Sequence, residues 1–167
     1  MASPRVEALR CEPIYTEPFG LACPPAHRLA RRRQVRWTDL ADEPLVLLDH
    51  ASGSRRLIDR ALAAQGVQAR VAQEVGHATT IFRMLEAGLG VAVIPMLALP
   101  PEGLPRLAVR PLQPRVDRDI VLVHRRNRAL APLAQRVWDL VRGVARERQA
   151  TPATTPARQR GRGWPRA

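Results

Sequence analysis

The sequence predicts an α/β protein organised around a parallel sheet, and three observations carry that expectation. Between Leu45 and Pro95, short apolar runs alternate with longer helical patterns in the order β-α-β-α-β, the order that crossover connections give to parallel strands. Hydrophobic residues make up 46% of the 167, enough for the core of one ordinary domain or two small lobes. No stretch approaches the roughly 18 consecutive apolar residues that a membrane span requires.

Each element has a local reason. Phe19-Gly20-Leu21-Ala22-Cys23 reads as a strand closed by Pro24-Pro25. Leu45-Val46-Leu47-Leu48, bounded by Pro44 and Asp49, is a continuous apolar run suited to a strand buried on both faces. Leu57, Ile58, Ala61 and Leu62 recur at helical spacing, with Ser52 to Ser54 as the start signal and Gly66 as the stop. Arg70 to Val75 alternates enough to be a strand nearer an edge. Ile81, Phe82, Leu85 and Leu89 mark a second helix, opened by Thr79 or Thr80 and ended at Gly88, and Gly90 to Pro95 is another buried strand. The prolines of LALPPEGLP exclude regular structure there. Strands follow at Leu107 to Leu112 and Asp119 to His124. Pro132 then opens a long helix with Leu133, Val137, Leu140, Val141 and Val144 on one face.

Charge and cysteine content narrow the function classes. The net charge is +12, and all 27 basic residues are arginine, with no lysine. Phosphate-binding surfaces ordinarily mix both cations, so this composition reads as coding bias more than as a nucleic-acid surface. Four arginines lie in the Pro- and Thr-rich segment 151–167, which reads as a solvated tail, and Arg31-Arg32-Arg33 with Arg36 forms a second exposed cluster. An arginine-rich nucleic-acid-binding protein using that tail remains the alternative, together with a non-functional gene fragment. Cys11 and Cys23 are too few for a disulfide scaffold or a thiolate zinc site. The charged N-terminus lacks a secretory apolar stretch, which points to the cytoplasm and to no membrane partner. The chain contains no Gly-x-Ser-x-Gly elbow and no Gly-rich phosphate loop, and its four histidines lack metal-ligand spacing. The expectation is therefore no enzyme, no catalytic residue, no metal and no cofactor.

Several segments together resemble the effector-binding (substrate-binding) domain of LysR-type transcriptional regulators. They are EPIYTEPFGLACPPAHRLA with His27, Leu29 and Ala30, then TDLADEPLVLL, then EVGHATTIFRMLEAGLGVAVIP from Glu74 to Pro95, then RDIVLVHRRNRALAPLAQRVWDLVRG. The resemblance spans about residues 9–147. It implies a periplasmic-binding-protein-like (type 2) two-lobe fold with one lobe incomplete. In that reading residues 9–26 begin lobe I, 27–104 form lobe II around the 45–95 core, 105–147 return to lobe I with its closing helix, and 148–167 form a disordered basic tail. It also implies that the chain lacks the family's helix-turn-helix, reaches DNA only through that absent domain, and keeps only part of the dimer surface.

The candidate ligand site follows from topology. Ligands of open α/β sheets lie beyond the carboxyl ends of the strands. Those ends are Asp49-His50-Ala51-Ser52 and Gly76-His77-Ala78-Thr79, each leading into a helix N-terminus that favours an anion. His50, Ser52, Ser54, His77, Thr79 and Thr80 supply donors, and Pro95 borders the same edge. Each has a plain reading too: hydroxyls before helices as N-caps, histidines as loop residues with local bonds. Arg55 and Arg56 are further candidates for favouring an anion. The function expected is sensing of a small-molecule effector, an anionic metabolite held between the lobes, by a regulator that in the intact family is oligomeric.

Overall fold

The computed structural model describes residues 8–150. Along them run strands β1 (Leu9–Cys23), β2 (Val35–Arg36), β3 (Pro44–Leu48), β4 (Arg70–Val75), β5 (Ala92–Pro95), β6 (Ala108–Gln113) and β7 (Asp117–Arg125). The α-helices are α1 (Gly53–Ala64), α2 (Ala78–Glu86) and α3 (Pro132–Ala150). The chain forms two compact units. One is Thr16–Ile120; the other comprises the described residues up to Tyr15 and from Val121 on. The chain passes from one to the other within β1 and within β7.

In the Thr16–Ile120 unit the expected β-α-β-α-β order is present as β3-α1-β4-α2-β5. Strands β3 and β4 pair in parallel, with Leu47 opposite Glu74 and Leu48 opposite Val75. Strand β3 meets the chain leading into β5 at one parallel bridge, Leu45 to Val91, where Val46 N donates to Val91 O at 2.9 Å and Val91 N to Pro44 O at 3.0 Å. Beyond β5 the sheet turns antiparallel: β1 pairs with β5 (Leu21 opposite Val93) and with β6 (Leu21 opposite Arg110). Strand β2 adds to β6 in parallel.

The period of two along these strands sorts their side chains into two cores. Leu45 and Leu47, Val91 and Val93, and Leu21 and Cys23 pack with Ile58, Ala61 and Leu62 of α1 and with Trp37. Val46 and Leu48, Ala92 and Ile94, and Ala22 pack with Ile81, Phe82 and Leu85 of α2. Strand β3 is therefore buried on both faces, as its unbroken apolar run predicts. Strand β4 pairs only with β3, and five of its six residues are exposed, as expected of an edge.

Three expectations need correction. Strand β1 begins at Leu9, ten residues before Phe19. Its first part runs beside β7, with bonds from Phe19 N to Val116 O and from Arg126 N to Ala8 O at its two ends; Pro13, Thr16, Glu17 and Pro18 hide that in the sequence. Helix α2 is not opened by Thr79 or Thr80. His77 is the N-cap, since Thr80 N and Ile81 N already donate to His77 O, so both threonines lie in the first turn. Within LALPPEGLP, Leu97 and Ala98 belong to a 3-10 turn, Met96–Ala98, that continues directly from β5.

In the other unit, α3 starts at Pro132 as expected. Trp138 stands edge-on to His124 of β7 with ring centroids 5.1 Å apart, and Arg142 pairs with Glu12 of β1 at 2.7 Å. Leu133, Val137, Leu140 and Val144 stand exposed on α3, Leu133 at 74%. The expected basic tail lies, from residue 151 on, outside the described residues, and α3 extends through Ala150.

Gly90 admits the bridge between β3 and β5. Its φ is +141°, and a Cβ there would stand 2.1 Å from the Pro44 carbonyl oxygen, a backbone atom. Gly90→Ala is expected to lower unfolding free energy by roughly 2–5 kcal/mol, from backbone strain plus overpacking. Urea denaturation measures it, and a loss under about 0.5 kcal/mol, the level of an ordinary surface substitution, contradicts this account of the junction.

Candidate functional site

Because β3, β4 and the chain entering β5 run in parallel, their carboxyl ends lie along one edge of the sheet, and α1 and α2 start just past it. The corner after β3 is tightly made. Asp49 N donates to Val75 O at 3.0 Å, joining the ends of β3 and β4, while Asp49 Oδ1 accepts from Ala51 N at 3.1 Å. Ser52 is the N-cap of α1: its hydroxyl accepts from Ser54 N at 3.3 Å.

Ser54 is buried, and its hydroxyl accepts from Arg118 Nη1 at 2.5 Å. Arg118, on β7, also donates through Nε to Glu17 Oε1 of β1 at 2.6 Å. Glu17 is 1% exposed, and its other oxygen accepts from Leu97 N, in the turn that follows Pro95. One carboxylate thus joins β1, β7, the end of β5 and, through Arg118, the start of α1. A buried carboxylate persists as an ion only when paired and hydrogen-bonded, and Glu17 meets both conditions. Pro95 itself is buried.

Arg55 is 4% exposed and held by three partners. Its Nε donates to Asp59 at 2.9 Å, and its Nη1 donates to Leu48 O at 2.9 Å and pairs with Glu74 at 2.8 Å. Burial works to lower its pKa, but the hydrogen bonds and charges of Asp59 and Glu74 outweigh that, so the pKa stands above its ordinary value. This corrects its candidacy as an anion contact: two carboxylates already hold it. Arg56 is exposed.

The remaining candidates spread along the same edge. His50 is exposed, 3.9 Å from Asp59 and 3.7 Å from Glu74. His77 makes no side-chain cap, and it, Thr79 and Thr80 are exposed in the first turn of α2. The structure therefore joins Ser54 to the Pro95 corner through Arg118 and Glu17, and sets His50 beside Asp59 and Glu74, without a hydrogen bond between these groups. Sequence reasoning missed Glu17 and Arg118. They are 101 residues apart, and neither carries a local motif.

Cys11 is exposed and Cys23 buried, both as free thiols. Burial pushes the Cys23 thiol up to about 11, against a downward pull from the Arg110 charge, while Glu43 adds to the rise.

This mixed α/β arrangement is the periplasmic-binding-protein-like type 2 fold. The chain belongs to the LysR substrate binding domain family, whose model matches residues 1–146. It is 50% identical over 135 residues to the uncharacterized HTH-type transcriptional regulator YfeR of Shigella flexneri, covering 80% of this chain and 44% of that protein. The chain thus spans less than half the length of that relative. Among solved structures it is similar to the effector binding domain of QuiR in complex with shikimate (TM-score 0.76, 19% identity, covering 87% of this chain and 69% of that one). It is likewise similar to the Synechocystis PCC6803 CcmR regulatory domain in complex with 2-PG (TM-score 0.77, 22% identity, 87% and 71% covered). The relatives are named as transcriptional regulators, not as enzymes. No helix among the described residues is long and apolar enough to cross a membrane.

Two measurements check this geometry. Ser52→Ala is expected to lose about 1 kcal/mol of stability as a missing N-cap. Thr79→Ala and Thr80→Ala, whose hydroxyls cap nothing, change it by less than about 0.5 kcal/mol. Equal losses at all three positions would refute the capping assignment. For the thiols, iodoacetamide at neutral pH is expected to label Cys11 and spare Cys23 until the chain unfolds. With a folded pKa of about 11 against about 9 unfolded, the unfolded chain releases its proton first as pH rises, so stability falls between pH 9 and 11. Cys23→Ala removes that part of the fall, and an unchanged pH profile contradicts it.

Proposed function

We propose that this chain is the effector-sensing part of a LysR-type regulator and that its effector is a small organic anion bound along the carboxyl edge of β3, β4 and β5. The observation that carries the reading is the shared direction of these strands, which brings the first turns of α1 and α2, one on each face, to one edge of the sheet. Unpaired N–H groups and the positive end of the helix dipole favour an anion there. Ser52, Ser54, Thr79 and Thr80 then offer hydroxyl donors and His50 and His77 ring nitrogens, with Pro95 bounding the edge. Thr79 and Thr80 support this most directly, because their exposed hydroxyls are not used to cap α2.

The domain performs no reaction in this reading. Effector occupancy biases one arrangement of a cytoplasmic, oligomeric regulator, and DNA is contacted through a helix-turn-helix outside the residues discussed. Such a bias requires an effector that binds one arrangement better than the other.

Thermal-shift screening of the purified chain against shikimate, 2-PG and a set of hydroxy- and dicarboxylic acids tests the proposal. At a hundred times its Kd, an acid should stabilise the fold by about 2.7 kcal/mol, seen as a rise in Tm of several degrees. Thr79→Val with Thr80→Val should diminish that rise. A folded protein whose Tm none of the acids moves would overturn the reading.

A further inference from the structure

We propose that Arg118 is the residue that reads the effector's charged group, with buried Glu17 as the positioning residue that holds its guanidinium in place. This rests on the sensing function proposed above and names the side chain that would decide which effectors are accepted.

The two arginines bonded around the start of α1 differ in what they have left to give. Arg55 has given its Nε to Asp59 and its Nη1 to Glu74 and the Leu48 carbonyl, and at 4% exposure it presents little of its remaining Nη2 to solvent. Arg118 has given its Nε–H to Glu17 and one Nη1–H to Ser54. A guanidinium carries five N–H donors, so three remain, including both on Nη2. The Arg118 side chain is one-quarter exposed, so these donors are within reach of solvent and of a ligand.

The anchoring is what makes the arginine selective. A free surface arginine must surrender side-chain entropy to hold a ligand, which is why exposed pairs contribute little. Here Glu17, itself fixed by Leu97 N, has already ordered the side chain. The remaining planar pair of donors matches two oxygens of one carboxylate or phosphate. The position fits as well. Ser54 and Leu97 belong to the two segments flanking the candidate edge, after β3 and after β5, and Arg118 stands where they meet. Because Glu17 cancels its charge locally, the selectivity comes from bond geometry rather than from a general positive field.

Calorimetric titration of the whole chain with the same acids, beside the neutral methyl ester of shikimate, tests the assignment. Variants are Arg118→Lys, Arg118→Gln and the double Glu17→Gln with Arg118→Gln, which leaves no unpaired buried charge if the single glutamine variant folds poorly. Far-UV circular dichroism verifies folding. For an acid that binds the unaltered chain, loss of a charged hydrogen-bonding partner should weaken binding roughly 10- to 100-fold in both glutamine variants. Lysine should restore part of it, and affinity for the ester should not change. Because 2-PG carries both a carboxylate and a phosphate, inorganic phosphate titrated beside shikimate tells which of the two groups Arg118 reads. Acid binding that persists unweakened in folded glutamine variants overturns the role of Arg118 while leaving the sensing function intact. No binding of any acid to the unaltered chain overturns both.

Discussion

Two backbone hydrogen bonds, Val46 N to Val91 O and Val91 N to Pro44 O, join the β3–β4 pair to the strands around β5. Everything at the candidate edge depends on that narrow junction. It makes β3 interior, so that Leu45 and Leu47 complete one core and Val46 and Leu48 the other. It also fixes where β3 ends relative to β5, and hence where α1 starts relative to the Met96–Ala98 turn. The approach is close enough that position 90 has room for no side chain. A short bridge suffices because helices α1 and α2 cover both faces around it, and burying those apolar side chains does most of the stabilising.

The electrostatics of this edge differ from what the total charge suggests. A net +12 describes a strongly basic molecule, yet the arginines bonded around the start of α1 are each matched by carboxylates: Arg55 by Asp59 and Glu74, Arg118 by Glu17. The exposed Arg31, Arg32 and Arg33 lie on and just after the 3-10 turn that follows β1, where Arg32 pairs weakly with Asp39 at 3.6 Å. Nearby, the buried Glu43 is held by His27 and Arg28 at 3.2 and 2.7 Å. Since His27 Nδ1 accepts from Leu29 N, its Nε2 carries the hydrogen that faces Glu43. Arg28, Arg55 and Arg118 thus serve as internal cross-links at the ends of elements.

Much of the fold was legible because its signals are local. The run from Leu45 to Leu48 announces a doubly buried strand, and the spacing of Leu57, Ile58, Ala61 and Leu62 announces α1. Gly66, with φ +66° and the bond from Val67 N back to Leu62 O, closes that helix as a terminal glycine should. The first half of β1 was illegible because Pro13 and Pro18 and the polar Thr16 and Glu17 carry no alternating apolar pattern; that stretch is a strand because β7 supplies partners for its backbone. The start of α2 was misread for a related reason. A threonine caps a helix only if its own backbone is extended, and here the extended residue is His77, with φ −135°. Along the candidate edge, strand order gave the segments that end there, but the side chains that join them were out of view.

By itself, the sequence determined the order of the elements, the faces that β3, α1 and α2 bury and the edge proposed for a ligand, since hydrophobic period and strand direction are properties of short stretches of chain. Only the tertiary structure decided which charges are free to act there. Arg55, three residues after the N-cap serine, looked available and is held by Asp59 and by Glu74 of β4; Arg118, remote from every motif, is brought to that same helix start by Glu17. Ion pairs between residues 19 and 101 positions apart are set by how strands pack, and no local pattern encodes that packing.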